Sequence, residues 1–275
     1  MFSRRSVLGG LATPLLVGCR GKAAAPSRRE DDLCVVTQRI RATPAIDGAG
    51  AHVLRVFPGP ALRHLDPFVL LDDFDVAVPA GFPEHPHRGF EAFTYMLEGE
   101  FEHADSMGNR SAIAAGGTQR FNSGAGARHS EMPGSGPHNR GLQLWVNLPR
   151  ELKTMTPEYD GIDAIDMPVD ERDGQRIRTV VGASSPVRLH TEVEYLDVEL
   201  LAAGGFAREI DGEEHVLVYV IAGSLAIGDE RAERGEALVL GPGRLDLHAD
   251  AGTRFAYLRG RPHREPIRHR GPFVD

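Results

Sequence analysis

Two short triplets hold the side chains best suited to chemistry, His85-Pro86-His87 and His129-Ser130-Glu131. In an extended strand, residues i and i+2 point to the same face. Each triplet therefore offers two metal-capable groups to one side and turns Pro86 or Ser130 to the other. If both strands line one barrel interior, three imidazoles and one carboxylate converge. Three nitrogen donors and one oxygen donor, with positions left for water, suit a non-haem iron(II), manganese, nickel or copper centre. A closed structural zinc site fits less well, because two cysteines, Cys19 and Cys34, cannot supply a multi-thiolate shell.

The elements that must carry these triplets read as strands. Apolar stretches of four to eight residues recur between Gly, Pro, Asn and Asp punctuation, among them 68–71, 92–97, 141–148, 195–200, 216–221, 237–240 and 255–258. No window sustains a helical 3.6-residue pattern, and 32 glycines and 19 prolines favour many tight turns. The chain is therefore expected to be all-β, built as sandwiches or barrels. A faint repeat supports two copies of one unit. Phe93 to Gly99 leads through a hairpin to Ala115-Gly116-Gly117, and Val216 to Gly223 leads likewise to Arg234-Gly235-Glu236. The expected division is a metal-binding barrel over 33–155 and a second barrel over 156–275, with the Pro- and Asp-rich stretch Thr156–Asp173 as the connection. Counting back from Gly223 as from Gly99 matches His85 and His87 to Glu209 and Asp211, while His215 and His248 have no metal-binding partner at i+2. One site per chain is expected, with the second barrel structural.

The remaining composition narrows the partners. The 275 residues carry 31 basic and 39 acidic side chains, a formal charge of −8. Such a balance argues against nucleic acid and gives an anionic membrane surface nothing to attract. Residues 1–18 read as an export signal, with Arg4 and Arg5 before an apolar run too short to span a bilayer. The set from Ser3 to Leu8 resembles a twin-arginine signal. Leu16-Val17-Gly18-Cys19 resembles a bacterial lipobox, which makes Cys19 the lipidation site and the lipid its only tie to a membrane. Residues 19–32, rich in Ala, Arg and Ser, read as a tether. These signals place the protein in the periplasm or cell envelope, or in the cytoplasm if the leader is not used. Cys34 is expected to be an ordinary buried thiol.

Wider motifs surround the triplets. Phe82-Pro83-Glu84-His85-Pro86-His87-Arg88-Gly89-Phe90-Glu91 continues to Glu98-Gly99 and His103-Ala104-Asp105-Ser106-Met107-Gly108-Asn109. Leu65 to Phe74 precedes this run, Gly124 to Pro133 and Leu142 to Pro149 follow it, and Gly271-Pro272-Phe273-Val274 lies near the end. Together they resemble the signature of the pirin family of the cupin superfamily. The resemblance implies a bicupin, two β-barrels face to face, with the tail returning to the first. It implies one metal, commonly iron(II), with manganese, nickel, copper or zinc as alternatives, held by His85, His87, His129 and Glu131. It also implies quercetin 2,3-dioxygenase-type ring cleavage of flavonol-like phenols by O2 in a monomer, with Glu131 as ligand and as the base that takes the substrate's hydroxyl proton. The alternative it carries is a non-enzymatic iron-binding or redox-sensing protein that contacts a partner. Gly117-Thr118 and Phe121 depart from the family's usual Gly-Asp and Trp, and Asp275 stands where a C-terminal helix is usual. Around the site, Arg88 and Glu91 are expected to secure strand ends, and His103 to face solvent beside Asp105. Phe82, Phe90 and Phe93 are expected in the core, and the basic stretch 259–270 to pair with the acidic body.

Overall fold

Apolar and β-branched residues at alternate positions, bounded by turn formers, dictate strands here. A computed structural model describes residues 33–275. The expected leader (1–18) and tether (19–32), with Cys19, lie outside the described residues. Each apolar stretch becomes a strand and lengthens at its ends: Phe68–Val76, Phe90–Glu98, Asn139–Asn147, Val193–Leu200, His215–Ala222, Glu236–Leu240 and Arg254–Gly260. The only helical segments among the described residues are two short 3-10 turns, Arg150–Leu152 and Ala164–Asp166. None is long and apolar enough to cross a membrane.

The strands form two antiparallel barrels with the same sheet order. In the first, a seven-stranded sheet runs Glu158–Ile162, Thr118–Asn122, Phe90–Glu98, Asn139–Asn147, Phe68–Val76, Ala51–Phe57, Thr43–Asp47. It faces a four-stranded sheet, Phe82–His87, Ala127–Pro133, Glu100–Asp105, Arg110–Ala114. The second barrel repeats both sheets. Its large sheet runs Val36–Arg41, Glu236–Leu240, His215–Ala222, Arg254–Gly260, Val193–Leu200, Gln175–Val181, Val169–Arg172. Its small sheet runs Gly204–Ile210, Gly243–Ala249, Ser224–Ile227, Glu230–Glu233. The repeat extends to single residues: Gly99 and Gly223 make the same turn at φ of 72° and 74°. A side chain at either would strike its neighbour, His138 or Thr253.

Sheet membership crosses the boundary drawn at 155/156. Val36–Arg41 pairs with Glu236–Leu240 and so belongs to the second barrel's sheet, while Glu158–Ile162 pairs with Thr118–Asn122 in the first. The Pro- and Asp-rich stretch is therefore not a bare connection, since it contributes a strand to each barrel. At the other end, Val274 N–H donates to the Arg88 carbonyl of the first barrel, and Val274 is buried there with Leu70, Phe90 and Trp145.

The outer faces of the two large sheets pack together through Phe93, Tyr95, Leu142, Leu144, Tyr195, Leu217, Tyr219 and Leu258. A reciprocal polar clamp is set into this apolar face. Arg140 Nε and Nη2 donate to Asp73 at 3.1 and 2.7 Å, and Tyr219 of the other barrel adds its hydroxyl to Asp73 at 2.9 Å. The mirror set is Arg254 to Asp197 at 2.8 and 2.7 Å, completed by Tyr95 at 2.6 Å. Each buried carboxylate thus has a bidentate arginine from its own barrel and a hydroxyl from its neighbour, which satisfies it away from water.

Candidate metal centre

His85 and His87 lie on Phe82–His87 and His129 on Ala127–Pro133, adjacent strands of the small sheet in which His129 pairs with His85. The i, i+2 rule holds for both histidines of the first triplet, and the three rings meet inside the barrel. Their ligand-capable atoms lie within 4.8 Å of one another. His85 Nε2 is 2.9 Å from His87 Nε2 and 3.1 Å from His129 Nε2.

The tautomers explain why this junction suits a cation. His85 Nδ1 lies 2.8 Å from the Pro83 carbonyl and His87 Nδ1 lies 3.3 Å from the Pro272 carbonyl. A carbonyl only accepts, so both Nδ1 atoms carry the proton, and each neutral ring turns a lone pair from Nε2 to the shared point. Two lone pairs 2.9 Å apart repel unless a positive centre sits between them. Burial pushes His87 down to about 3, with His85 adding to the effect. Burial likewise holds His129 well below the usual range, helped by His87 and His85. His87 and His129 are therefore neutral and ready to ligate, and the donor set fits a borderline divalent ion. Phe121 stacks on His129, centroids 4.2 Å apart and planes 5° apart, and fixes that ring.

Glu131 stands at the edge of this cluster. Its Oε2 is 3.9 Å from His129 Nε2, and it is not within the group formed by the three histidines. Its carboxylate is held from the large sheet: Gln119 Nε2 donates to Oε1 at 2.5 Å, the Thr94 hydroxyl lies 2.6 Å from Oε1, and Gln143 Nε2 donates to Oε2 at 3.2 Å. Oε1 is anchored, whereas Oε2, the oxygen on the histidine side, has one long bond. Thr94 and Gln143 lay within the family-like runs but carried no role of their own there, and Gln119 lay outside them. The available sign is parity: each is a polar residue on the inward face of its strand, where its inward neighbours at i±2 are mostly apolar.

Other expectations move. His103 does not face solvent; it is 2% exposed, because Phe101, His103 and Asp105 alternate inward and pair with the strand of His129 and Glu131. Its Nε2 lies 3.1 Å from Asp105 and its ring stacks on Tyr159 with centroids 4.0 Å apart. Glu91, the second residue of Phe90–Glu98, is fully buried, paired with Arg120 at 2.9 Å and accepting from the His190 backbone at 3.0 Å. Arg88 binds Asp275 at 2.8 Å and so fastens the tail. Phe90 and Phe93 are core residues, while half-buried Phe82 lines the cavity above the histidines. Cys34 is buried. From the basic stretch, Arg259 pairs with Glu194 and Glu214, and Arg264 with Glu213.

The second barrel's register corrects the count that gave Glu209 and Asp211. Leu245 pairs with Arg208 and Gly243 with Ile210, as His129 pairs with His85 and Ala127 with His87. The equivalents of His85, His87, His129 and Glu131 are thus Arg208, Ile210, Leu245 and Leu247. Ungapped counting fails by one residue because Ile210 precedes Gly223 by 13 positions, whereas His87 precedes Gly99 by 12. Ile210, Leu245 and Leu247 are buried in that barrel's apolar core.

His85 and His87 open onto a cavity of about 780 Å3. Phe74, Phe82, Phe101, Leu70 and Trp145 form its apolar walls, and the tail residues Gly271 and Pro272 lie along it.

Comparison with known proteins agrees with this geometry. Residues 50–146 match the Pirin family and residues 195–275 the pirin C-terminal cupin domain. A pirin-like protein of Arabidopsis thaliana is 39% identical over 87% of this chain and 84% of its own length. A Pseudomonas aeruginosa protein provisionally named quercetin 2,3-dioxygenase is 40% identical over 84% of this chain and 88% of its own. Among solved structures, a quercetin 2,3-dioxygenase from Acinetobacter baumannii superposes with a TM-score of 0.80 at 28% identity, covering 88% of this chain and 92% of that one. A bacterial pirin from Escherichia coli in complex with nickel(II) gives 0.68 at 25% identity, covering 82% and 98%. The chain belongs to the pirin family of bicupin proteins.

Proposed function

We propose that this protein is a metal-dependent dioxygenase of the quercetin 2,3-dioxygenase type, with His85, His87, His129 and Glu131 as its metal ligands and a hydroxylated aromatic as its substrate. The observation that carries this reading is the meeting of three imidazole rings, two of which line a cavity large enough for a multi-ring phenol. The dioxygenase name borne by the relatives supports the reaction type. Iron(II) is the favoured ion, and nickel in a solved relative supports a divalent metal of this group. A bound metal supplies Lewis acidity and a place where phenol and O2 meet.

The chain's own residues do the rest. Glu131 Oε2 takes the phenolic proton, while Gln119 and Thr94 keep Oε1 in place so that the carboxylate pivots without leaving the site. Phe74, Phe101 and Trp145 exclude water and hold the ring flat by contact. Oxygen uptake with quercetin and a panel of catechols, after anaerobic loading with iron(II), tests the proposal. Uptake that disappears in His129→Ala supports it; absence of uptake with every phenol overturns it in favour of a metal-binding partner protein. Export by the twin-arginine route and acylation at Cys19 belong to the same proposal. Cell fractionation checks them, with Cys19→Ala expected to move the protein from the membrane to the soluble fraction.

A further inference from the structure

The duplicated barrel shows which inward residues folding requires. In the first barrel one cross-strand row reads Arg55, Asp72, Gln143, Thr94, Gln119, each paired in register with the next. The same row in the second barrel reads Thr179, Leu196, Tyr257, Val218, Leu238. A barrel of this chain therefore closes around mainly apolar side chains at these positions, and polarity there answers another need. Gln143, Thr94 and Gln119 are accounted for by Glu131. Arg55 and Asp72 are not.

Arg55 Nε and Nη2 donate to Asp72 at 2.9 and 2.6 Å, and Nη2 donates to Asp47 at 2.5 Å. Asp72 is only 4% exposed, and all three residues line the cavity that reaches His85 and His87. A buried ion pair is no gain for stability over uncharged residues that pack well, and the second barrel does without charge at the two matching positions, Thr179 and Leu196. Both hydrogens of Arg55 Nη1 have no protein partner among the described residues. The group carries one arginine charge against two carboxylates, so it disfavours anions, accepts from hydroxyls and donates to an uncharged oxygen. Glu84, Glu131, His269 and the rim residue Arg63 are the other ionisable side chains on this cavity. The geometry points to Arg55, Asp72 and Asp47 as the specificity-determining group of the cavity, which binds the hydroxyl pair of a neutral aromatic diol and leaves its far end toward the histidines. This deepens the dioxygenase reading and rests on it for the reaction, but binding is measured without turnover.

Trp145, the single tryptophan, lines the cavity and reports binding by its fluorescence. Anaerobic titration of the full chain with catechol, 1,2-dimethoxybenzene and benzoate tests the assignment. Wild type is expected to bind catechol at least tenfold more tightly than either of the others. The double variant Arg55→Thr/Asp72→Leu copies the second barrel's own pair; it is expected to take up metal normally and to lose tenfold or more in catechol affinity. Equal catechol affinity in wild type and variant overturns the assignment, as does a wild-type preference for benzoate or the dimethyl ether. Should the double variant not fold, Asp47→Asn decides. It keeps the buried pair, and a weaker grip on catechol with better tolerance of benzoate is expected, whereas no change overturns the assignment. Catechol bound through these residues, with no oxygen uptake from quercetin or any other phenol, sinks the dioxygenase reading alone; uptake with unaltered affinity in the variants sinks the recognition group alone.

Discussion

His85 and His87 turn facing Nε2 lone pairs to a point that His129 also reaches, and that gives the site its residue-scale tests. Removing one ring leaves two imidazoles and Glu131, so His129→Ala is expected to weaken metal binding by at least 100-fold, read by metal content after dialysis. Glu131→Gln is a sharper probe. The new amide keeps one accepting oxygen, sets its NH2 against the donor of either Gln119 or Gln143, and takes no proton, so retained metal with turnover lost by 100-fold or more is expected; equal retention of both removes Glu131 from the chemistry. Acid is the third lever. His87 stays neutral in the folded chain down to about 3, while an unfolded imidazole takes up its proton near 6.5. The unfolded state holds more protons between those values, so stability is intact above about pH 6.5. It falls as pH drops toward 3, by up to about 1.4 kcal/mol per pH unit for this one group. Thermal melting of metal-free protein at pH 7 and pH 5 checks this, with a smaller drop expected in His87→Leu. The three histidines that meet were legible because i, i+2 spacing puts pairs on one face. Gln119, Gln143 and His103 were not, since a lone polar residue acquires meaning only from the strand beside it.

Elements add the closure of the site. The tail segment His269–Val274 contributes the Pro272 carbonyl to His87 and Gly271 to the cavity wall. Three ties fasten it. Val274 N–H bonds to Arg88, and Arg88 pairs with Asp275. Lys153 Nζ donates to the carbonyls of Val274 and Gly89 and to Asn147 Oδ1, all at 2.7–2.9 Å. Burial lowers Lys153 to about 8, so the ammonium is held at a cost that its three acceptors offset. Gly89, at φ of 86°, lies so close to Val274 that any side chain collides with the tail carbonyl. Gly89→Ala is therefore expected to loosen the tail, seen as faster proteolysis of the C-terminus and weaker metal retention, with the rest of the fold intact by circular dichroism. Most strands could be read from apolar runs and turn residues. The edge strands Val36–Arg41, Glu158–Ile162 and Val169–Arg172 could not: they are polar and mostly exposed, and hydrogen bonding to a distant neighbour defines them.

At the scale of the whole molecule, two copies of one barrel have divided their labour. The first splits its interior into two apolar clusters, one around Val53, Phe74, Met96 and Phe101, the other around Leu70, Phe90, Phe121 and Trp145, with the polar row between them. The second fills the same space with Leu196, Val218, Leu238, Leu245 and Leu247. The clamp at their interface is symmetric, so its halves are expected to weigh alike. Tyr95→Phe and Tyr219→Phe should each cost about 1 kcal/mol, measured by urea unfolding, with additive effects in the double variant. The duplication was faintly visible as two strand–turn–glycine patterns. Its register at the metal strand was not, because a single extra residue between Ile210 and Gly223 shifts the equivalents of His85 and His87 by one.

One further consequence lies in the exchange of ends, with Val36–Arg41 serving the later barrel and Val274 the earlier. Scission of the chain anywhere between the halves would deprive each fragment of a piece that the other retains, so neither product would be a self-sufficient unit. Mixed together, the two fragments hold every missing edge and should reassemble; apart, they should not fold.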